Sequence, residues 1–116
     1  MSIYNDFPED DIIWTVSDPA IVRENYHRKY KHYIDLIKKH YNVDSEIHRS
    51  SRKDKKYMIF GPIGNGEYLG MIHFGSIDYE DFTKHNDSSR RNRYHKRFNK
   101  ELEPYTPYML SKILLW

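Results

Sequence analysis

The sequence predicts a small single domain of the α+β class, in which a β-hairpin packs against two or three helices. Residues 19–41 repeat apolar side chains at helical spacing, and residues 88–101 show a second helical pattern behind a capping side chain. Between them, two β-prone runs flank an Asn65-Gly66 pair that favours a tight hairpin turn. A chain of 116 residues with no Cys has room for one modest core, and no disulfide stabilises it.

The first 16 residues are interpreted as an acidic arm, and the predicted domain spans residues 17–116. Residues 1–20 contain no Lys or Arg, and their acidic side chains are Asp6, Glu9, Asp10, Asp11 and Asp18. This start is not typical of an export signal, and no stretch of about 18 apolar residues occurs, so we predict no membrane span. A β-prone run at 12–16 is one candidate for a third strand, and 44–48 is the other.

The first helix is predicted to run from about Pro19 to His40. Asp18 is a good N-cap, and proline suits the first helical position. One face of the helix carries the apolar residues Val22, Tyr26, Tyr30, Tyr33, Ile34, Ile37 and Tyr41. Because four tyrosines lie within this stripe, we expect an amphipathic contact face and not a dry core.

The hairpin is predicted from residues 57–60 and 68–74. The polar segment 44–56 before it is interpreted as a loop that leads into the first strand. Asn65-Gly66 supplies the pair of positive φ angles that a type I′ turn requires. An isolated hairpin is only marginally stable in water, so we expect it to pack on helix 19–41 or to gain another strand.

Helical signals return after Gly75. Asp78 is expected to cap a short turn over 79–85, and Asn86 or Asp87 to cap a helix over 88–101 that ends before Pro104. Thr106-Pro107 repeats the signal of a cap followed by proline. The segment from 108 to 116 is very apolar, so it is expected to be part of the core or an anchor into a partner.

The turn between the hairpin and the basic helix holds the candidates for chemistry. Its predicted motif residues are His73, Gly75, Tyr79, Asp81 and His85. Glu80 or Asp81 could act with a histidine in acid–base chemistry, but no nucleophile elbow, phosphate loop or dinucleotide turn accompanies them. No histidine pair has the i, i+4 spacing of a metalloprotease, and thiolate ligands are absent. We therefore predict no enzyme, no cofactor and no metal, with His73 making a capping or core hydrogen bond.

Positive charge is concentrated just beyond this turn. Residues 84–100 contain seven Lys and Arg against one Asp, a net charge of +6. The predicted anion-binding residues are Lys84, Arg90, Arg91, Arg93, Lys96 and Arg97. Arginine suits bidentate contacts with phosphate or carboxylate, so the partner is expected to be nucleic acid or an acidic protein face. The acidic arm of the same chain is the third option.

Several of these residues also occur together in a known pattern. They are residues 51–58, 72–75 and 79–83, with His85, Asp87, Arg90, Tyr94, Arg97 and residues 114–116. In order and spacing they resemble a small uncharacterised protein family of the nucleocytoplasmic large DNA viruses, over about residues 50–116. The resemblance implies a viral origin and a setting in the virion or the host cytoplasm, and it implies no reaction.

Two functions are therefore expected. The first is a non-enzymatic viral structural or virion-assembly protein, similar to a minor capsid component, whose basic face meets an anionic viral partner. The second is a nucleic-acid-binding protein that uses the Arg/Lys-rich segment 84–100. Self-association into a homo-oligomer is compatible with both. An enzyme built on His73, Glu80, Asp81 and His85 is the third and least favoured alternative.

Overall fold

A computed structural model describes residues 16–63 and 68–116, which form five helices and one three-stranded antiparallel sheet. The elements in chain order are α1 Pro19–Lys29, α2 Lys31–Tyr41, β1 Ile47–Arg49, β2 Lys55–Ile63, β3 Tyr68–Ser76, α3 Phe82–His85, α4 Ser88–Arg97 and α5 Pro107–Leu114. The predicted α+β class is confirmed. None of the helices in the described part of the chain is long and apolar enough to cross a bilayer.

The predicted first helix is interrupted, which the sequence pattern did not indicate. Asp18 caps it as expected, because its carboxylate accepts hydrogen bonds from the backbone N–H groups of Ala20 and Ile21. The chain bends at Tyr30, with φ −109° and ψ 13°, and α2 starts afterwards. The bend falls where the Tyr30 side chain is buried and its hydroxyl donates to the carbonyl oxygen of Pro104 at 2.6 Å.

The hairpin is longer than predicted and gains a third strand. The strand order is β1-β2-β3, and in β2 Tyr57 pairs with Phe74 while Ile59 pairs with Ile72. The third strand is β1, which overlaps the 44–48 candidate at Ile47 and His48, so the interpretation of 44–56 as a loop was wrong in part. The turn Asn65-Gly66 lies outside the described residues, and so does the acidic arm up to residue 15.

Two tyrosines of the predicted first helix belong to the core, which corrects the expectation of a contact face for this part of the stripe. Tyr26 and Tyr30 are fully buried, whereas Tyr33 is 39% exposed. The Tyr26 hydroxyl is hydrogen-bonded to Ser45 Oγ at 2.6 Å and to the Tyr105 hydroxyl at 2.9 Å. Since these phenols have partners inside the protein, burying them leaves no hydroxyl unsatisfied.

The last three helices follow the capping signals, with two corrections. Asp81 caps α3, not Asp78, so this helix is a single turn. Asp87 caps α4 as expected, but α4 ends at Arg97 and not near residue 101. Thr106 caps α5, whose side chains Leu110 and Leu114 are fully buried against β3 and α1. The C-terminal apolar segment is therefore part of the core.

Candidate anion-binding cleft

A buried ion pair between Lys56 and Asp81 stabilises the predicted motif turn. Lys56 Nζ lies 2.7 Å from Asp81 Oδ2, and the two side chains are 2% and 1% exposed. The same ammonium donates to the carbonyl oxygens of Tyr79, at 2.6 Å, and Val16, at 3.4 Å. The other carboxylate oxygen of Asp81 accepts from the backbone N–H and the hydroxyl of Thr83. These bonds tie the turn after β3 to the start of β2.

The ion pair is structural because every charge in it has partners. Burial lowers the pKa of the Lys56 ammonium and raises the pKa of the Asp81 carboxyl, and the contact between them opposes both shifts. With three acceptors on one side and three donors on the other, both groups are satisfied as ions. Asp81 is thus occupied as a cap and a counter-ion.

Gly75 is needed in this turn for its conformation and its small size. Its φ is +81°, in the left-handed region that favours glycine. A Cβ atom built there would lie 2.9 Å from Leu115 Cδ1 and 3.3 Å from Lys56 Cβ. The glycine therefore lets the turn pack closely on both the ion pair and the C-terminal segment.

The two motif histidines have different partners. His73 Nδ1 is hydrogen-bonded to Ser50 Oγ at 2.7 Å. His85 Nδ1 accepts from the backbone N–H of Asp87 at 2.8 Å, at the start of α4. Burial lowers the pKa of both imidazoles, helped by Arg52 near His73 and by Arg90 near His85. His73 therefore links β3 to the segment after β1, whereas His85 serves a local hydrogen bond at the start of α4.

A cleft of about 490 Å³ lies between α4, the motif turn and the end of α5. Arg90, Arg93 and Arg97 line it together, because the spacing i, i+3, i+7 places them on one face of α4. The other lining residues are Lys56, Gly75, Ser76, Tyr79, Glu80, Tyr94, Phe98, Ser111, Leu115 and Trp116. The volume is in the range of small-molecule binding sites.

Aromatic rings form the wall beside these arginines. Tyr94 stacks on Trp116 with ring centroids 4.4 Å apart and an interplanar angle of 3°, and Phe98 lies 4.6 Å from Tyr94. Burial raises the pKa of Tyr94 to about 12, so its hydroxyl stays protonated at neutral pH. Tyr79, at the edge of the cleft, is 69% exposed. The cleft thus combines cationic groups with one solvent-exposed aromatic ring.

The charge of the cleft is positive. Arg90 Nη1 lies 3.9 Å from Glu80 Oε1, an ion contact that is too long for a hydrogen bond. Within residues 16–63 and 68–116, Arg93 and Arg97 form no ion pair. Three guanidinium groups therefore face one exposed carboxylate, since the charge of Lys56 is matched by Asp81. The acidic residues of the arm lie outside the described residues.

Three of the six predicted anion-binding residues lie in the cleft, and three do not. Arg91 does not line the cleft, and its Nε donates to the main-chain oxygen of Trp116 at 2.8 Å. Lys84 and Lys96 are exposed and do not line the cleft. Sequence reasoning missed Lys56 and Trp116 as members of the site. The i, i+3, i+7 spacing of the arginines was a usable signal in the sequence. No sequence signal indicated that Lys56, one of many lysines, would be buried.

The part of the chain that the structure describes contains no group of three or more His, Asp or Glu that could hold a metal ion. Asp81, which lies among the candidate catalytic groups, is bonded to Lys56 and Thr83. The arrangement offers directed cationic donors beside aromatic surface, which is chemistry for binding.

Comparison with known proteins gives one similarity. Residues 45–98 match a family of unknown function (DUF5754), over slightly less than half of the chain. The matched segment contains the whole sheet, the motif turn and α4, and therefore the three cleft arginines. No curated protein and no solved structure matches the chain. The family description states no source, so the viral origin expected from the sequence stays a prediction.

Proposed function

We propose that this protein is a non-enzymatic binding protein that takes single-stranded nucleic acid into the cleft of α4. One observation carries the proposal: Arg90, Arg93 and Arg97 line the same cavity as the aromatic side chains Tyr79, Tyr94 and Trp116. The guanidinium group of arginine neutralises the charge of a phosphate, and aromatic rings stack on nucleic acid bases. The combination is typical of proteins that bind unpaired strands.

Phosphate is favoured over protein carboxylate as the anionic partner because of the aromatic groups. Guanidinium groups alone fit either anion equally well. Tyr79, however, is an aromatic lining residue of the basic cleft that is largely exposed. A base has a flat face for such a ring, whereas an acidic side chain does not.

A single strand is favoured over a duplex because the positive groups lie in a concave site. In a duplex the bases are stacked inside, so a protein that contacts its backbone meets only phosphates and sugars at the surface. The aromatic side chains of the cleft would then have no base to contact. An unpaired nucleotide can place its phosphate on the arginines and its base on Tyr79.

The assembly role expected from the sequence is the second candidate. Two observations that favoured this role no longer support it. Tyr26 and Tyr30 lie in the core and not on a contact face, and the C-terminal apolar helix is buried. Exposed apolar side chains remain on α2, where Leu36 is 38% exposed and Tyr41 is 44% exposed. Mass spectrometry of purified virus particles tests this role, and absence of the protein from particles would exclude a virion component.

The cleft proposal is tested by the salt dependence of binding. Fluorescence anisotropy with a labelled single-stranded oligonucleotide, from about 50 mM to about 200 mM salt, should give a log-linear loss of affinity. The Arg93→Gln/Arg97→Gln double variant removes two phosphate contacts, so its slope should be smaller by about 1.4. A duplex of the same sequence should bind more weakly than the single strand.

Lys96→Gln is the matched control, since it removes one charge from the same helix outside the cleft. It should reduce the affinity less than the single variants Arg93→Gln and Arg97→Gln do. Undetectable binding at about 50 mM salt, or equal losses from Lys96 and the cleft arginines, would contradict the proposal.

Tyr79 provides a second, independent readout. Tyr79→Ala should weaken binding to the single strand about five-fold or more, because stacking of one base is worth about 1–3 kcal/mol. Tyr79→Phe should bind like the natural protein, since the ring is kept. The main-chain carbonyl that holds Lys56 is present in both variants, so stability measured in urea should stay unchanged.

A further inference from the structure

A second pocket, of about 230 Å³, shares the lining residues Leu115 and Trp116 with the cleft. Its lining includes three cationic side chains, Arg28, Lys29 and Arg91, and two carboxamides, Asn25 and Asn86. Among the residues that the structure describes, no Asp or Glu lines it. We propose that this pocket is a separate binding site for a phosphate monoester or inorganic phosphate dianion.

The three cations are held in place by bonds that leave donors available. Lys29 Nζ donates to the carbonyl oxygen of Ile113 at 2.9 Å, and Arg91 Nε donates to the main-chain oxygen of Trp116 at 2.8 Å. The Arg91 guanidinium also lies over the Phe82 ring, 4.7 Å from its centroid. An ammonium has three N–H donors and a guanidinium has five, so most of them remain for a ligand.

Crowding of like charge supports an anion in this position. Burial lowers the pKa of Lys29, and the nearby positive charges of Arg28 and Arg91 lower it further. A simpler explanation covers part of the cluster, because Arg28 and Lys29 lie in the last turn of α1, where basic residues favour the helix dipole. That explanation does not extend to Arg91, which comes from another helix and faces the same pocket.

The charge count selects the class of anion. A phosphodiester carries one negative charge, whereas a phosphate monoester carries about −1.5 to −2 at neutral pH. Three positive groups around one small pocket match the dianion better. Leu115 and Trp116 line both this pocket and the cleft. The phosphate could therefore be the phosphorylated end of a strand that lies in the cleft, or a free ion, and the site does not depend on the proposed function.

Titration with inorganic phosphate, followed by ¹H–¹⁵N NMR at constant ionic strength, tests the site. Saturable shifts are expected at the end of α1 and around Arg91, together with a rise in the pKa of Lys29 when phosphate binds. Arg28→Gln and Lys29→Gln should each weaken phosphate binding about tenfold or more. Arg28 is the safer variant, because its described hydrogen bond is to Asn25 alone.

The controls are Lys31→Gln, an exposed lysine outside the pocket, and Arg93→Gln/Arg97→Gln in the cleft. Both should bind inorganic phosphate like the natural protein. The proposal is overturned if the shifts do not saturate, if chloride reproduces them, or if the cleft variant loses phosphate as fully as Arg28→Gln does.

The source of the phosphate is distinguished with two oligonucleotides that differ only in a terminal phosphate. If the strand end is the ligand, the phosphorylated form should bind more tightly, and Arg28→Gln should abolish the difference. If the two bind equally while inorganic phosphate still saturates the pocket, the ligand is the free ion. Failure of both oligonucleotides to bind would contradict the proposed function and leave the phosphate titration to decide this site.

Discussion

Lys56 and Arg93 line the same cleft, yet their charges serve different purposes. Lys56 is buried, and its ammonium is surrounded by Asp81 and by backbone carbonyls. Arg93 is exposed on α4, and within the described residues it forms no ion pair at contact distance with a carboxylate. Burial of a charge without partners is very unfavourable, whereas an exposed charge needs none. The comparison separates a cation that maintains the fold from cations that remain available for a ligand.

Removal of Asp81, the counter-ion of Lys56, should have the largest effect on the stability of the fold. Asp81→Ala leaves the Lys56 ammonium buried and unpaired, and it also removes the cap of α3. We expect a loss of about 3–5 kcal/mol in the free energy of unfolding, measured by urea denaturation. The apolar double variant Lys56→Met/Asp81→Leu should lose much less, because no charge is then left without a partner. Equal losses in the two variants would show that packing and the lost helix cap, and not the unpaired charge, govern this position.

Replacement of the glycine beside the ion pair should have the next largest effect. Gly75→Ala places a Cβ atom 2.9 Å from Leu115 Cδ1 at a residue with φ +81°. Strain and overpacking together should cost about 1–3 kcal/mol of unfolding free energy. Met71→Ala, at an exposed position of the same strand, should change it by about 0.5 kcal/mol or less. A tolerated Gly75→Ala would mean that the turn can move away from the C-terminal segment.

Local signals in the sequence predicted the elements of the fold well. Asp18-Pro19 and Thr106-Pro107 start helices where they were expected, because a cap and a fixed φ act within a few residues. The hairpin was found from its β-prone runs and its predicted turn. Hydrophobic periodicity also placed Val22, Tyr26 and Tyr30 on one face of the first helix, although the burial of these tyrosines in the core was not expected.

Features that depend on distant contacts could not be predicted. The bend at Tyr30 coincides with bonds to the 104–105 segment, more than 70 residues away. Lys56 belongs to a run of charged residues, and only the return of the chain at Asp81 explains its burial. The division of the arginines between cleft and second pocket depends on where Trp116 packs against α4.

The two motif histidines, His73 and His85, add groups whose charge changes with pH, so they make the stability of the fold depend on pH. Both have a pKa below the usual 6.5, so just below that pH the unfolded chain binds more protons than the folded chain. Stability should therefore rise with pH through this window and fall on acidification from about pH 7 to about pH 5. At His85 the reason is specific, because protonation of Nδ1 would replace an acceptor with a donor facing the Asp87 N–H.

The measurement is the urea midpoint as a function of pH. In the His73→Gln/His85→Gln variant the slope below about pH 6.5 should be smaller than in the natural protein. An unchanged slope would show that other groups cause the pH dependence and that the two imidazoles do not contribute to it.

The smallest expected effect concerns Glu80, the carboxylate that forms an ion contact with the cleft residue Arg90. Glu80 lies 3.9 Å from Arg90, and both side chains are 40% exposed, so the pair should contribute only about 0–1 kcal/mol to stability. Glu80→Gln should leave the unfolding free energy almost unchanged. It should nevertheless raise the affinity for a single-stranded oligonucleotide about two- to five-fold, because the variant removes a negative charge that competes with the ligand for Arg90. The gain should shrink at high salt, where exposed charges are screened, and Asp35→Asn on α2 is the control for net charge alone. If both substitutions raise the affinity equally, the effect comes from the total charge of the protein, and Glu80 has no special place beside the arginines.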